Sequence, residues 1–346
     1  MNKIKEYDVL KVITILLVII SHSTYYKISS EYGGIDYLGV QNSAYRLADK
    51  VREVIYYFHM PLFMGISGAL YYKTKKKREY FTFITVKFKR LIIPFIVFTF
   101  FYTIPLKYIS GYFNNISPLE IVKGQLFLFG NSHLWYLYGL FIIFSMVELI
   151  DRYNIKIEIL ICVAYLIHLL SYIIKLQLLS IPLTFLVWFL FGMVFEKNRK
   201  KINLILEKDF LSYLSKLTVL FLVLIMIKHF FKVNGGLSNR ILLDILAMVG
   251  SILMYIIAYL CSKTNWINSA LFNLILVNGL GIYIFSDTLN YVILKLCHDF
   301  LGIDFMLSVS GMLLIICIRI VGTLLMSMSI TIIFKKFFPK YYWLVN

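Results

Sequence analysis

The sequence predicts an all-α integral membrane protein that crosses the bilayer about ten times with both termini in the cytoplasm, and three observations carry that reading. Apolar residues make up 60% of the 346 and charged residues only 15%, for a mean hydropathy of +0.80; soluble domains carry about a quarter charged residues. The apolar residues fall into runs of about twenty, the length that spans the hydrocarbon core. The basic residues collect in alternate loops between those runs, as cytoplasmic loops do.

Taken in order, the predicted spans lie near 8–26, 54–72, 88–108, 134–150 and 156–174, then near 182–196, 211–231, 241–261, 271–293 and 307–334. The first run has basic flanks like a signal peptide but no small-residue cleavage site after it, so it reads as a retained helix. Between the second and third spans, Lys73, Lys75, Lys76, Lys77, Arg78, Lys87, Lys89 and Arg90 stand against the single acid Glu79. That loop is expected in the cytoplasm. Lys197, Arg199, Lys200, Lys201, Lys208 and Lys216, and later Lys335, Lys336 and Lys340, fall on the same side only if ten helices are counted. The opposite loop, 109–133, is sparse in charge and carries the turn residues Gly111, Asn114, Asn115 and Pro118. With no internal repeat and no stretch long enough for a separate soluble domain, residues 1–346 read as one transmembrane domain.

The net charge of +17 follows from loop placement and does not call for a nucleic-acid partner. Cys162, Cys261, Cys297 and Cys317 lie in or beside apolar runs without paired spacing, which reads as small core residues and neither a disulfide framework nor a metal site. Pairs of Gly/Pro-broken helices in matching halves, the pointer to an inverted-repeat transporter, are not evident.

Ionisable groups inside apolar runs are costly and mark function by default. In the first span Asp8, Lys11 and His22 share one helical face, Lys11 and His22 being about 16 Å apart along the axis. A snorkelling lysine and a histidine bonded to a carbonyl are the bland readings. His59, in YYFHMPLFMGISGALYY, and His133, in NSHLWYL, are expected at the same outer depth as His22. No local HxxxH pairing supports a metal site, whereas a histidine can remove and return a proton near neutral pH. In GLGIYIFSDTLNY, Ser286 and Asp287 are expected one or two turns below the outer surface, and Asp287 can orient a histidine or simply bridge helices. Arg319, central in the last span, must face the bundle interior; its expected depth, well below Asp287, argues against a direct pair. His168 and the pair Lys228, His229 carry less information.

Five segments together resemble the acyltransferase-3 family of bacterial membrane O-acyltransferases, in particular its fucose 4-O-acetylase-like branch. They are YDVLKVITILLVIISHS, YFHMPLFMGISGALYY, KFKRLIIPF, HLWYLYGLF and GIYIFSD, and the resemblance covers essentially the whole chain. It places the family's basic-x10-His pattern on Lys11 and His22, and its RxxR element on Lys87 and Arg90, with lysine replacing arginine at one position of each. Many members have histidine where this chain has Ser286. The resemblance implies an acyl-CoA donor, expected to be acetyl-CoA, bound from the cytoplasm of a multi-pass plasma-membrane enzyme. Its acceptor would be a hydroxyl of a cell-surface or lipid-linked saccharide.

Physical reasoning agrees with that expectation. The basic inner mouth of Lys11, Lys87, Lys89 and Arg90 suits coenzyme A phosphates, and Arg319 joins Lys11, Lys87 and Arg90 as a candidate donor ligand. His22, His59, His133 and Asp287 are the candidate catalytic groups. The other class of function is an exporter of polysaccharide or lipid-linked sugar, in which the same polar track conducts substrate without covalent chemistry.

Overall fold

The computed structural model describes residues 4–24, 43–75, 79–113, 116–129, 133–231 and 235–346. Lys76, Lys77, Arg78, Asn114 and Asn115, used above to orient the loops, lie outside the described residues. Among the described residues the chain is all-helical, with no strand. The helices are α1 (Lys5–Ser23), α2 (Ser43–Thr74), α3 (Tyr80–Ile109), α4 (Pro118–Leu126), α5 (Trp135–Ile150) and α6 (Ile157–Leu170). They continue with α7 (Gln177–Phe230), α8 (Gly236–Cys261), α9 (Ala270–Val277), α10 (Gly279–Leu301), α11 (Ile303–Leu307) and α12 (Val309–Phe337).

Six of the described helices are long and apolar enough to cross a membrane: α2 from Tyr45, α3, α7, α8, α10 and α12. The count differs from ten for identifiable reasons. The 19-residue α1 carries Lys5, Glu6, Asp8 and Lys11 in its first two turns, α5 has 16 residues, and α6 is a shorter apolar helix. The expected spans 182–196 and 211–231 are the two arms of the 54-residue α7, which leaves helical geometry at Asp209.

Two boundaries move in ways that matter. α2 begins eleven residues before the expected start, because the charged segment ahead of the apolar run continues the helix through Lys50–Glu53 and Arg52–Asp49 pairs at i,i+3. His59 is therefore in the body of α2 and not at its end. The ninth span is interrupted at Asn278 and resumes as α10, which runs fourteen residues beyond Asp287, so Asp287 is near mid-helix and not within two turns of an end.

Helix α3 is not a regular α-helix. It widens to π geometry at Phe88–Ile92 and again at Thr99–Thr103, and each wide turn is followed at once by a proline in its next turn, Pro94 and Pro105. Proline lacks the N–H that would bond four residues back and its ring crowds that carbonyl, so the ladder opens there.

Contacts divide the chain into two units. The first comprises 1–14, 56–84 and 142–273. Within it α2 and α7 cross at backbone contact: a Cβ on Gly192 would stand 1.9 Å from the Gly65 carbonyl oxygen, and one on Gly68 the same distance from that of Phe189. Small residues permit such an approach in apolar surroundings. A cavity of about 280 Å³ opens beside this crossing, between walls that include Leu10, Pro61, Trp188 and Ile252. Tyr7, which lines it, donates to Glu196 (2.6 Å), Arg199 meets Glu196 (2.8 Å) and Glu6 (3.4 Å), and Asn203 ties Glu6 to Tyr255. A second polar knot joins His168 to Asp244 (3.0 Å) and to the Thr184 carbonyl (2.7 Å), with Arg240 donating to Ser171.

The second unit comprises 15–55, 85–141 and 274–346. Its spine is the antiparallel pair α10 and α12, which approach closely at Gly281, where a Cβ would come within 2.4 Å of the Thr331 side chain. Buried Tyr112, Phe113, Tyr291, Leu294, Met312 and Ile315 form the apolar cluster along it.

The glycine crossing is directly testable. Gly192→Ala is expected to destabilise the protein by about 1–3 kcal/mol, the usual range for overpacking, because the atom in its way is backbone. Gly322→Ala, whose Cβ would meet Ile293 at an ordinary 3.5 Å, is expected to leave the melting temperature nearly unchanged. Thermal unfolding of both variants in the same detergent checks the contrast.

Candidate active site

In the second unit α1, α10 and the turn ahead of α5 bring polar groups to one buried point. Asp287, on the inward face of α10, accepts from one histidine and lies beside a second. His22 Nδ1, from the last turn of α1, lies 2.9 Å from Oδ1, and His133 Nδ1, just ahead of α5, lies 3.2 Å from Oδ2 and off the line of a good hydrogen bond. The two rings differ in access. The His22 side chain keeps 25% of its surface exposed, against 5% for His133 and 5% for Asp287.

Each partner is held by its own element. His133 Nε2 donates to the Ile284 carbonyl at 2.9 Å, and the His133 carbonyl accepts a short hydrogen bond from Tyr283. His133 thus spends its Nε2 proton on the backbone of α10, and its Nδ1 faces Asp287 without a hydrogen bond. Tyr102, in the second wide turn of α3, donates to the Phe285 carbonyl at 2.9 Å, so the residues flanking Asp287 along α10 are pinned from two sides. Ser286 is buried and its hydroxyl turns back to the Tyr283 carbonyl (3.3 Å).

Two cations belong to this unit's interior. Arg319 of α12 donates to the His22 carbonyl (2.9 Å) and to Asn290 Oδ1 (3.1 Å). The expectation that Arg319 lies well below Asp287 is corrected: on antiparallel helices it comes level with Asn290, less than one turn past the aspartate. Lys107, in α3, is entirely buried, with its ammonium 4.2 Å from the Tyr112 ring centre and 5.7 Å from that of Tyr291. Aromatic faces attract a desolvated cation.

The remaining candidates are placed elsewhere. His59 and Lys11 belong to the first unit, where His59 is buried edge-on to Tyr56 and Lys11 pairs with Asp8 at 3.3 Å. Lys87 and Arg90 sit in or beside the first wide turn of α3, Arg90 exposed and Lys87 partly so, next to Lys89 stacked on Trp343. Sequence reasoning passed over Lys107, Asn290, Tyr102 and Tyr283. Asn290 was within reach of it, three residues past Asp287 and on the same face.

Chemically, the arrangement is a histidine oriented through Nδ1 by a buried carboxylate, with Nε2 directed away from that carboxylate. A histidine so held is suited to accept and return a proton. The apolar cavity of the first unit has almost no polar atoms in its wall and lacks the convergent polar groups a hydroxylated substrate requires. Among the described residues, no group of three or more His, Cys, Asp or Glu is arranged to hold a metal ion.

Comparison with known proteins agrees with this chemistry. A family model described as an acyltransferase domain, that of the acyltransferase-3 family, matches residues 4–332. The chain belongs to this family. No curated protein and no solved structure matches it. Family membership and the apolar helices make the chain a membrane acyltransferase, and the His–Asp constellation lies within the matched residues.

If Asp287 orients His22 in this acyltransferase, Asp287→Asn is expected to lower turnover by about 10²- to 10⁴-fold while the protein still inserts, since an amide offers its oxygen to one imidazole and an N–H to the other. Acyl transfer per mole of purified protein, compared with wild type, is the measurement. Turnover within threefold of wild type would remove Asp287 from the site.

Proposed function

We propose that the protein transfers an acetyl or other short acyl group from cytoplasmic acyl-CoA to a hydroxyl of a cell-surface or lipid-linked saccharide at the plasma membrane, as in the fucose 4-O-acetylase-like branch of the family. The observation that carries this reading is the 2.9 Å contact between His22 and Asp287, at the histidine of the family's basic-x10-His pattern. His22 Nε2 takes the proton of the acceptor hydroxyl as its oxygen attacks the thioester carbonyl. The C–S bond then breaks, and the proton passes from His22 to the departing thiolate. A sugar hydroxyl is a poor nucleophile at neutral pH, and a positioned base supplies about 10² to 10⁴ in rate.

The geometry supports His22 over its competitors. His133 is tied through Nε2 to the backbone of α10 and is the less accessible ring, so its role is to pack beside Asp287. His59, buried in the first unit, is the remaining competitor. Lys87 and Arg90, with Lys89 beside them, remain the candidate ligands of the coenzyme A phosphates. Ten membrane crossings with both termini cytoplasmic belong to the same proposal, the two arms of α7 counting separately and α1, α5 and α6 completing the set.

His22→Ala is expected to abolish saccharide acetylation with expression and donor binding intact, and His133→Ala and His59→Ala to lose less. Acetylation by membranes carrying each variant, normalised to protein level, decides among them. Should His22→Ala turn over normally while His59→Ala or His133→Ala is dead, the base moves to that residue; should all three stay active, none of the three is the base. Separately, replacing both Lys87 and Arg90 with Ala is expected to weaken acetyl-CoA binding, each lost charged hydrogen bond costing about 1.5–3 kcal/mol, with a smaller difference at high salt. Titration of acetyl-CoA into the purified double variant measures it, and an unchanged affinity would remove the pair from the donor site.

A further inference from the structure

We propose that Arg319, together with Asn290, is a positioning residue that clamps the C-terminal end of α1 and thereby aims His22, instead of binding the acyl donor. The proposal rests on the reading of His22 as the base.

The last four carbonyls of any helix lack partners within it. α1 ends at Ser23, so the His22 carbonyl is one of these. In apolar surroundings such a group needs an outside donor, and the negative end of the helix favours a cation. Arg319 supplies both: Nη2 reaches the His22 carbonyl at 2.9 Å. Nε of the same planar group reaches Asn290 Oδ1 at 3.1 Å, and Ser23 Oγ lies 3.2 Å from that oxygen. A rigid guanidinium fork holds two acceptors in set relation as the single ammonium of lysine cannot.

Asn290 follows Asp287 by three residues on α10, so one helix face controls His22 twice. Asp287 takes the ring through Nδ1, and Asn290, through Arg319, takes the backbone of the same residue. With both ends of the side chain held, the direction of Nε2 is set. Burial separates this role from donor binding. Arg319 has 0% of its surface exposed, although a phosphate ligand must present an accessible edge. A misplacement of about 1 Å at a reacting group costs on the order of 10²-fold in rate, which is the scale of effect expected.

The test uses the full-length protein in membranes and in detergent, with radiolabelled acetyl-CoA and the saccharides of the same membranes as substrates. Arg319→Met is expected to lower kcat by about 10²-fold with the KM for acetyl-CoA within about twofold of wild type, and Arg319→Lys, which keeps the cation but reaches one acceptor at a time, to fall between. If Arg319→Met does not fold, Arg319→Lys and Asn290→Leu carry the same comparison. A raised KM with unchanged kcat would overturn the clamp in favour of donor binding, and unchanged kcat and KM would overturn it outright. A readout independent of turnover is the ¹⁵N spectrum of histidine-labelled protein, with His22 assigned by its loss in His22→Gln. The hydrogen-bonded Nδ1 signal of His22 is expected to shift or broaden in Arg319→Met. If wild type transfers no acetyl group, the functional reading fails and this spectrum still decides the clamp; an unaltered His22 signal would refute it.

Discussion

A carboxylate buried among helices in an apolar unit is the constraint around which the second unit is arranged. Asp287 cannot sit there alone, because stripping an ion of water costs several kcal/mol unless partners replace the lost solvation. His22 does so by hydrogen bonding to one oxygen, while the His133 ring packs beside the other. Their need to reach the same point dictates where α1 ends, how the chain enters α5, and which face of α10 turns inward.

The supporting contacts follow from that need. Tyr283 and the Ile284 carbonyl hold His133, and Tyr102 holds the carbonyl of Phe285, so consecutive residues of α10 each restrain a neighbour. These bonds go largely to backbone, which leaves the side chains around the carboxylate available for chemistry. The first unit is built otherwise: close glycine contacts bring α2 onto α7, and its buried charges, such as Arg199 with Glu6 and Glu196, neutralise one another. Its interior is a scaffold by composition, and the second unit's holds the candidate active site.

Helical class and membrane character were legible in the apolar runs, because hydropathy over twenty residues is a large signal. The count of spans was less so. A charged segment such as SAYRLADKVRE can extend a helix through its own ion pairs, and Asp209 can break the geometry of a helix without a glycine or proline to announce it. His22, His133 and Asp287 were each singled out because ionisable groups in apolar runs stand out, yet their convergence is a tertiary fact that spacing cannot reveal. Lys107 was missed for a more specific reason. Counting 100° per residue, it lies about 120° from buried Phe95 on a regular helix; the wide turn at Thr99–Thr103 absorbs one residue and brings the two within about 20°. A period read across that stretch loses its phase.

The clamp at Arg319 also bears on how the chain is assembled. A bare arginine at the centre of an inserting helix costs about 2.5–3.5 kcal/mol on insertion scales, a burden that falls on α12 as it leaves the translocation machinery. Both acceptors of that guanidinium, on α1 and α10, belong to segments synthesised before it. The charge therefore enters the bilayer against partners already in place, and the order of residues along the chain doubles as an order of biogenesis in which the costliest helix comes after those that relieve it.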